Sequence, residues 1–336
     1  MKYNMTRTTQ MKSLADVSTT GHRESPHSRT FRHFARLAVI CLGFGLKSAL
    51  AIIGGTSANW SQYPWLAMNV AKFPGQTHWQ DRGCSSMIIS PYYAVTAGHC
   101  LNGPYSYKVG LMFSDGSVIE VTQEIRNPKY SYDPLQYKFV YGVVSSSVAD
   151  IGLQRLAEPV GPSIVRLYPI FTDNVFSAKF KGDYTGLTGT VLGWGSTQQS
   201  QVTLTPPAAF SPILQQINEV VQPSSYCQGV LNYFAEYISG GILTEAPFQF
   251  NDTLFCAMPV GFTPAPPLQL PSVFEGVCYG DTGPLFIEVA DMPIVLGFVT
   301  DYLSESLETQ CGNGIDIYTK LTPAYLEWMA SVVNGT

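Results

Sequence analysis

Apolar and polar residues change places over short distances along this chain. Runs of four to six residues, apolar or alternating, recur at 65–70, 86–89, 92–96, 118–121, 151–156, 189–194, 294–299 and 315–320. Gly, Pro, Asn or Asp punctuates most of the gaps. Alternation is the two-residue period of a strand with one buried face. Many short strands bounded by turn residues predict an all-β barrel or sandwich. One helix is predicted, at the end of the chain. Thr322 suits its N-cap and Pro323 its first position. Leu321, Tyr325, Trp328 and Met329 then share one face, which reads as core packing. The proline-rich stretch 259–271 reads as a surface loop, and no internal repeat is visible.

Composition narrows the class. Of 336 residues, 45% are hydrophobic and 13% charged, which excludes a disordered chain, a long coiled coil and a helical array. The net charge of −5 argues against a nucleic-acid partner. Residues 1–51 stand apart, with eight Lys or Arg against two acids, which leaves a net −11 in 52–336. Within 1–51 a basic stretch ends at Arg36, an apolar run fills 37–46, and Ser48-Ala49-Leu50-Ala51 closes on small residues. That order predicts a secretory signal peptide cleaved after Ala51 and a secreted, extracellular protein. Ten helical residues rise about 15 Å, half a bilayer, so no stable membrane anchor is expected. Cys41 would leave with the signal. Cys84, Cys100, Cys227, Cys256, Cys278 and Cys311 remain, enough for three disulfides with fifteen connectivities open. Asn59, Asn251 and Asn334 begin glycosylation sequons, which agree with export.

Several segments carry chemistry. These are Ile52-Ile53-Gly54-Gly55, Val95-Thr96-Ala97-Gly98-His99-Cys100, Ala149-Asp150-Ile151-Gly152-Leu153, Gly193-Trp194-Gly195, Phe255-Cys256-Ala257 and Ile317-Tyr318-Thr319-Lys320. Together and in this order they resemble the trypsin/chymotrypsin family of serine peptidases. The resemblance spans 52–336. It implies two packed six-stranded antiparallel barrels with a short C-terminal helix: the first over about 52–165, the second over about 166–320, the helix over about 322–333. It implies disulfides Cys84–Cys100, Cys227–Cys256 and Cys278–Cys311. It makes His99 the general base and Asp150 the acid that orients it, and imidazole suits proton transfer near neutral pH.

The nucleophile segment departs from the family. Where the family has Cys-x-Gly-Asp-Ser-Gly-Gly-Pro-Leu, this chain has Cys278-Tyr279-Gly280-Asp281-Thr282-Gly283-Pro284-Leu285. Either Thr282 replaces the serine and a glycine is lost, or the serine is lost and Thr282 replaces the next glycine. A threonine nucleophile brings a β-branch with restricted χ1. A missing residue removes up to about 3.6 Å of chain, while a misplacement of about 1 Å costs on the order of 100-fold in rate. Gly280 and Thr282 are the oxyanion donors by analogy. The resemblance also makes Asp281 the partner of the Ile52 ammonium that signal cleavage would create, with no zymogen stage.

The pocket is altered as well. Gly276 stands where an acid selects Arg or Lys in the family. Asp316 replaces a glycine and would place an acid on the pocket floor from the opposite wall. Thr300-Asp301-Tyr302 stands where the family has Ser-Trp-Gly, so Asp301 removes an aromatic wall and Tyr302 would crowd the pocket mouth. No cofactor is expected, and no metal, because His99 with Asp150 lacks a third ligand. The expected partner is a protein or peptide. Two functions follow: a homologue that binds in the cleft without efficient cleavage, or a working endopeptidase using Thr282, His99 and Asp150.

Overall fold

The computed structural model describes residues 52–101, 107–131, 149–161, 183–195, 211–238, 241, 249–250, 252–261, 276–277, 282–302 and 315–335, side chains at 234–235, 237–238 and 301–302 excepted. A short strand, β1 (Thr56–Ser57), opens the fold. Six strands then close a barrel: β2 (Leu66–Lys72), β3 (Gln80–Ser90), β4 (Tyr93–Thr96), β5 (Lys108–Met112), β6 (Val118–Arg126) and β7 (Gly152–Leu156). Their order around it is β2-β3-β4-β7-β6-β5, all antiparallel.

The second barrel uses β8 (Thr188–Gly193), β9 (Gln215–Val221), β10 (Leu254–Pro259), β11 (Pro284–Val289), β12 (Met292–Tyr302) and β13 (Asp316–Lys320). Its order is β9-β10-β13-β12-β11-β8, closed by the β8–β9 pairing, with β1 added to β9. Both barrels therefore follow the same strand order, a repeat of topology that the sequence does not betray. Closure leaves neither sheet an open edge. The two-barrel architecture expected from the resemblance is present.

Among the described residues, three apolar clusters build the core. One fills the first barrel around Ala67, Ile88, Ala94 and Leu111. A second fills the other barrel around Tyr184, Val191, Phe255, Val277, Leu296 and Tyr318. The largest joins the two, packing Trp65, Met87 and Leu153 with Leu192, Trp194, Phe286 and Phe298. The first barrel also holds a closed polar ring. Asn69 donates to Ser86, Ser86 to Gln154 and Gln154 to Asn69, at 2.6, 2.6 and 2.7 Å. Each buried polar atom so used is satisfied within the ring.

Among the described residues, two α-helices flank the barrels. The Cys227–Cys256 disulfide ties α1 (Ser224–Ile238) to β10. The sequence reading places no helix there, although buried Cys227, Val230 and Leu231 repeat at three and four residues. The second, α2 (Pro323–Asn334), ends the fold as predicted. Thr322 caps it by accepting from the Tyr325 N–H, and Gly335 at φ 71° terminates it. Tyr325 and Met329 of α2 pack into the cluster between the barrels.

Candidate active site

β4 delivers the chain into a single 3-10 turn, Gly98–Cys100, which carries His99. The Cys84–Cys100 disulfide ties this turn to β3. Two guanidinium groups hold it from outside. Arg82 donates to the Cys100 carbonyl at 2.9 Å and Arg126 to the Gly98 carbonyl at 3.1 Å, so the backbone is fixed on both sides of His99. A Cβ on Gly98 would meet the Tyr130 ring at 2.9 Å and Asp150 Oδ1 at 3.1 Å, which explains a glycine at this place.

Asp150 approaches from the start of β7. Ala149 sits in the left-handed region at φ 53°, and the Ile151 N–H closes back on its carbonyl at 2.7 Å. A non-glycine residue held there stores strain of order 1–3 kcal/mol. The tight turn drives Asp150 to full burial. Its Oδ1 accepts the His99 backbone N–H at 2.7 Å, and its Oδ2 lies 2.7 Å from His99 Nδ1. Oδ2 also accepts the Thr300 hydroxyl at 2.5 Å. The carboxylate is thus surrounded by three donors once Nδ1 carries its proton, an arrangement that fixes the ring tautomer. The sequence places Thr300 among the pocket residues. In the structure its hydroxyl joins β12 of the second barrel to Asp150 of the first.

Thr282 lies on the second barrel just before β11. Only 4% exposed, it accepts the Ser85 backbone N–H on Oγ1 at 2.8 Å. Among the described residues, that is the hydrogen-bond partner of this hydroxyl. The next residue leaves the backbone no freedom. A Cβ on Gly283 would stand 1.5 Å from the Leu192 carbonyl oxygen, and the Gly283 carbonyl accepts the Val299 N–H at 3.0 Å. Ser85 is held too, since its carbonyl accepts the Thr96 hydroxyl at 2.7 Å. The Thr282–Ser85 bond was not legible beforehand, because it joins residues 197 apart through the packing of two barrels.

The other predicted residues divide in two. Ile52 is fully buried, and Ile53 exchanges two backbone hydrogen bonds with Gly276, at 3.1 and 2.9 Å. Gly276 has φ 134°, and a Cβ there would lie 2.8 Å from Asp316 Oδ2. Asp316 is buried and accepts the Val277 N–H at 3.0 Å. Beside it is an acid the sequence reading passed over. Glu219 on β9 is fully buried and accepts the Tyr318 hydroxyl on Oε2 at 2.6 Å. Burial pushes its carboxyl above the usual carboxylate range, against the lowering effect of Asp316 and the Tyr318 hydroxyl beside it. The available signal was an acid at Glu219 on the same strand face as Ile217 and Val221.

Asn59 and Asn334 are exposed, as acceptor sites require. Gly280, Asp281, Cys278, Cys311, Asn251 and the Tyr302 side chain lie outside the described residues, as does the segment 1–51. Among the described residues, Cys84, Cys100 and His99 bring possible metal ligands within 4.8 Å of one another, but the disulfide engages both sulfurs. No helix among them is long and apolar enough to cross a membrane.

A family model described as Trypsin matches residues 52–262, well over half of the chain, and includes His99 and Asp150. The chain belongs to the trypsin family. It is 28% identical to the snake venom serine protease nikobin of Vipera nikolskii over 307 residues, 90% of this chain and 95% of that one. It is 25% identical to kallikrein-12 of Homo sapiens over 303 residues, 89% of this chain and 97% of that one. It is 24% identical to the fibrinolytic enzyme isozyme C of Lumbricus rubellus over 282 residues, 83% of this chain and 98% of that one. Proteases of this family act on protein or peptide substrates. The family match ends before Thr282.

Proposed function

We propose that this chain is a secreted trypsin-family homologue that binds extended protein or peptide segments in the cleft between its barrels, with little or no turnover. One observation carries the reading. The Thr282 hydroxyl is buried and accepts a backbone hydrogen bond from Ser85, with Gly283 pinned immediately behind it. A nucleophile must present its oxygen to a base and to an incoming carbonyl. Gly283, directly before Pro284, occupies a place with no room for a Cβ, which suits the last glycine of the family's Gly-Gly-Pro. Counting back, Thr282 takes the place of the preceding glycine, and the serine is the residue lost. Thr282 is then an internal strut between the barrels.

The alternative keeps a specific support of its own. His99, Asp150 and Thr300 form a connected set at 2.7 and 2.5 Å, suited to a base and its orienting acid. On that reading Thr282 is an impaired nucleophile, Gly280 and Thr282 supply the oxyanion donors, and Ile52 pairs with Asp281 after cleavage at Ala51. Export is supported by two disulfides, by the exposed sequon residues Asn59 and Asn334, and by relatives named as venom proteases.

Turnover of a broad mixture of unstructured peptides separates the two. The protein should begin at Ile52 and be run beside His99→Ala. The reading predicts cleavage no greater than that of the variant, together with peptide capture that the folded protein retains. Cleavage abolished by His99→Ala establishes the alternative.

A further inference from the structure

His99 meets Asp150 through its backbone and its ring at once. Its N–H donates to Oδ1, and its Nδ1 lies against Oδ2, both at 2.7 Å. One carboxylate therefore ties the direction of the imidazole to the plane of the peptide that joins Gly98 to His99. That peptide is planar and trans, so its carbonyl points away from its N–H. Rotating the plane takes the donor off Oδ1 and turns the ring away from Oδ2.

Arg126 holds the far end of that plane. Its Nε donates to the Gly98 carbonyl at 3.1 Å, beside the Leu101 N–H at 3.2 Å. The 98–99 peptide thus lies between a guanidinium and a carboxylate. A cation on the carbonyl polarises the peptide and strengthens the N–H bond at its other end. Placement adds to charge. Arg126 ends β6, where its backbone pairs with Gly152 of β7, just past Asp150. The next N–H, that of Asn127, donates to the Ile151 carbonyl at 3.0 Å. The Arg126 guanidinium lies 5.2 Å from the centre of the Tyr130 ring, and that ring closes on Gly98. Residue 126 is therefore joined by its backbone to the turn that carries the acid and by its side chain to the turn that carries the base. Arg82 differs, because it reaches the Cys100 carbonyl, on a residue that the disulfide already holds.

We propose that Arg126 is a positioning residue for His99: by holding the Gly98 carbonyl it orients the peptide plane that aims the imidazole at Asp150. The role belongs to the His99–Asp150 pair, so it is independent of whether the cleft turns over substrate.

Proton NMR of the full chain, labelled with nitrogen-15 in histidine, tests this. The His99 Nδ1 proton, held against Asp150, should resonate far downfield of the backbone amides and be absent from His99→Ala. In Arg126→Met its exchange with water should quicken by about tenfold or more, because one charge-assisted bond is gone. Arg126→Lys returns a cationic donor and should restore the slow exchange. Arg155→Met removes the same charge from an exposed site on β7 of the same barrel and should leave the signal unchanged. A signal in Arg126→Met that matches the wild type, or a lysine variant that does not restore it, overturns the proposal. Should Arg126→Met not fold, the wild type decides. A scalar coupling across the hydrogen bond from Arg126 Nε to the Gly98 carbonyl carbon supports the proposal, and its absence overturns it.

Discussion

Replacing Thr282 by valine removes one hydroxyl and keeps the shape of the side chain. The Ser85 N–H, at a residue 1% exposed, then loses its 2.8 Å acceptor. An orphaned buried donor costs about 1–3 kcal/mol. Because volume is conserved, no cavity adds to this. For a domain of this size each kcal/mol moves the melting temperature by about 2–4 °C, so a fall of about 2–12 °C is expected. Ser85→Ala is the matched control. The Ser85 hydroxyl is itself buried and unpartnered among the described residues, and its removal leaves the backbone N–H in place. That variant should match the wild type or gain about 1 kcal/mol. Calorimetric melting of the three proteins, with peptide turnover measured alongside, makes the comparison. A Thr282→Val protein that melts with the wild type but loses a measurable turnover would refute the strut and restore the nucleophile.

Two further outcomes follow from the geometry. Asp150→Ala strips acceptors from the His99 N–H, His99 Nδ1 and the Thr300 hydroxyl in a fully buried site, and urea denaturation should show a loss of about 3–5 kcal/mol. Burial pushes the Asp81 carboxyl up to about 6, so the native state holds a proton that the unfolded chain has released between about pH 4 and about pH 6. Stability should therefore fall as pH rises through that window, by about 1–3 kcal/mol, and this part of the slope should vanish in Asp81→Asn.

The architecture was largely readable because each level of the sequence agreed with the next. Alternating runs marked eight of the strands, and Thr322 with Pro323 marked the helix α2 with its start. The helix α1 escaped because its mixed polar sequence is held by the Cys227–Cys256 bond and by the buried face of Val230 and Leu231 rather than by a strong start signal. At the site, His99 and Asp150 were legible from their own segments, and the structure joins them at 2.7 Å. The bond from Ser85 to Thr282, the Thr300 bond across the barrels and the bond from Tyr318 to Glu219 were not. Each depends on where separate strands meet in space, and local patterning carries no record of that. Glycines 98 and 283 became intelligible only with their neighbours, Tyr130 and Leu192, in view.

The claim that Thr282 is a strut and not a nucleophile is tested most directly by a fluorophosphonate, which phosphonylates an activated hydroxyl beside a working histidine and releases fluoride. Protein beginning at Ile52 should be treated with the reagent, digested and mapped by mass. The account predicts no adduct on Thr282 in folded protein, at a level indistinguishable from His99→Ala. An adduct on Thr282 that forms in the wild type and disappears in His99→Ala would contradict it.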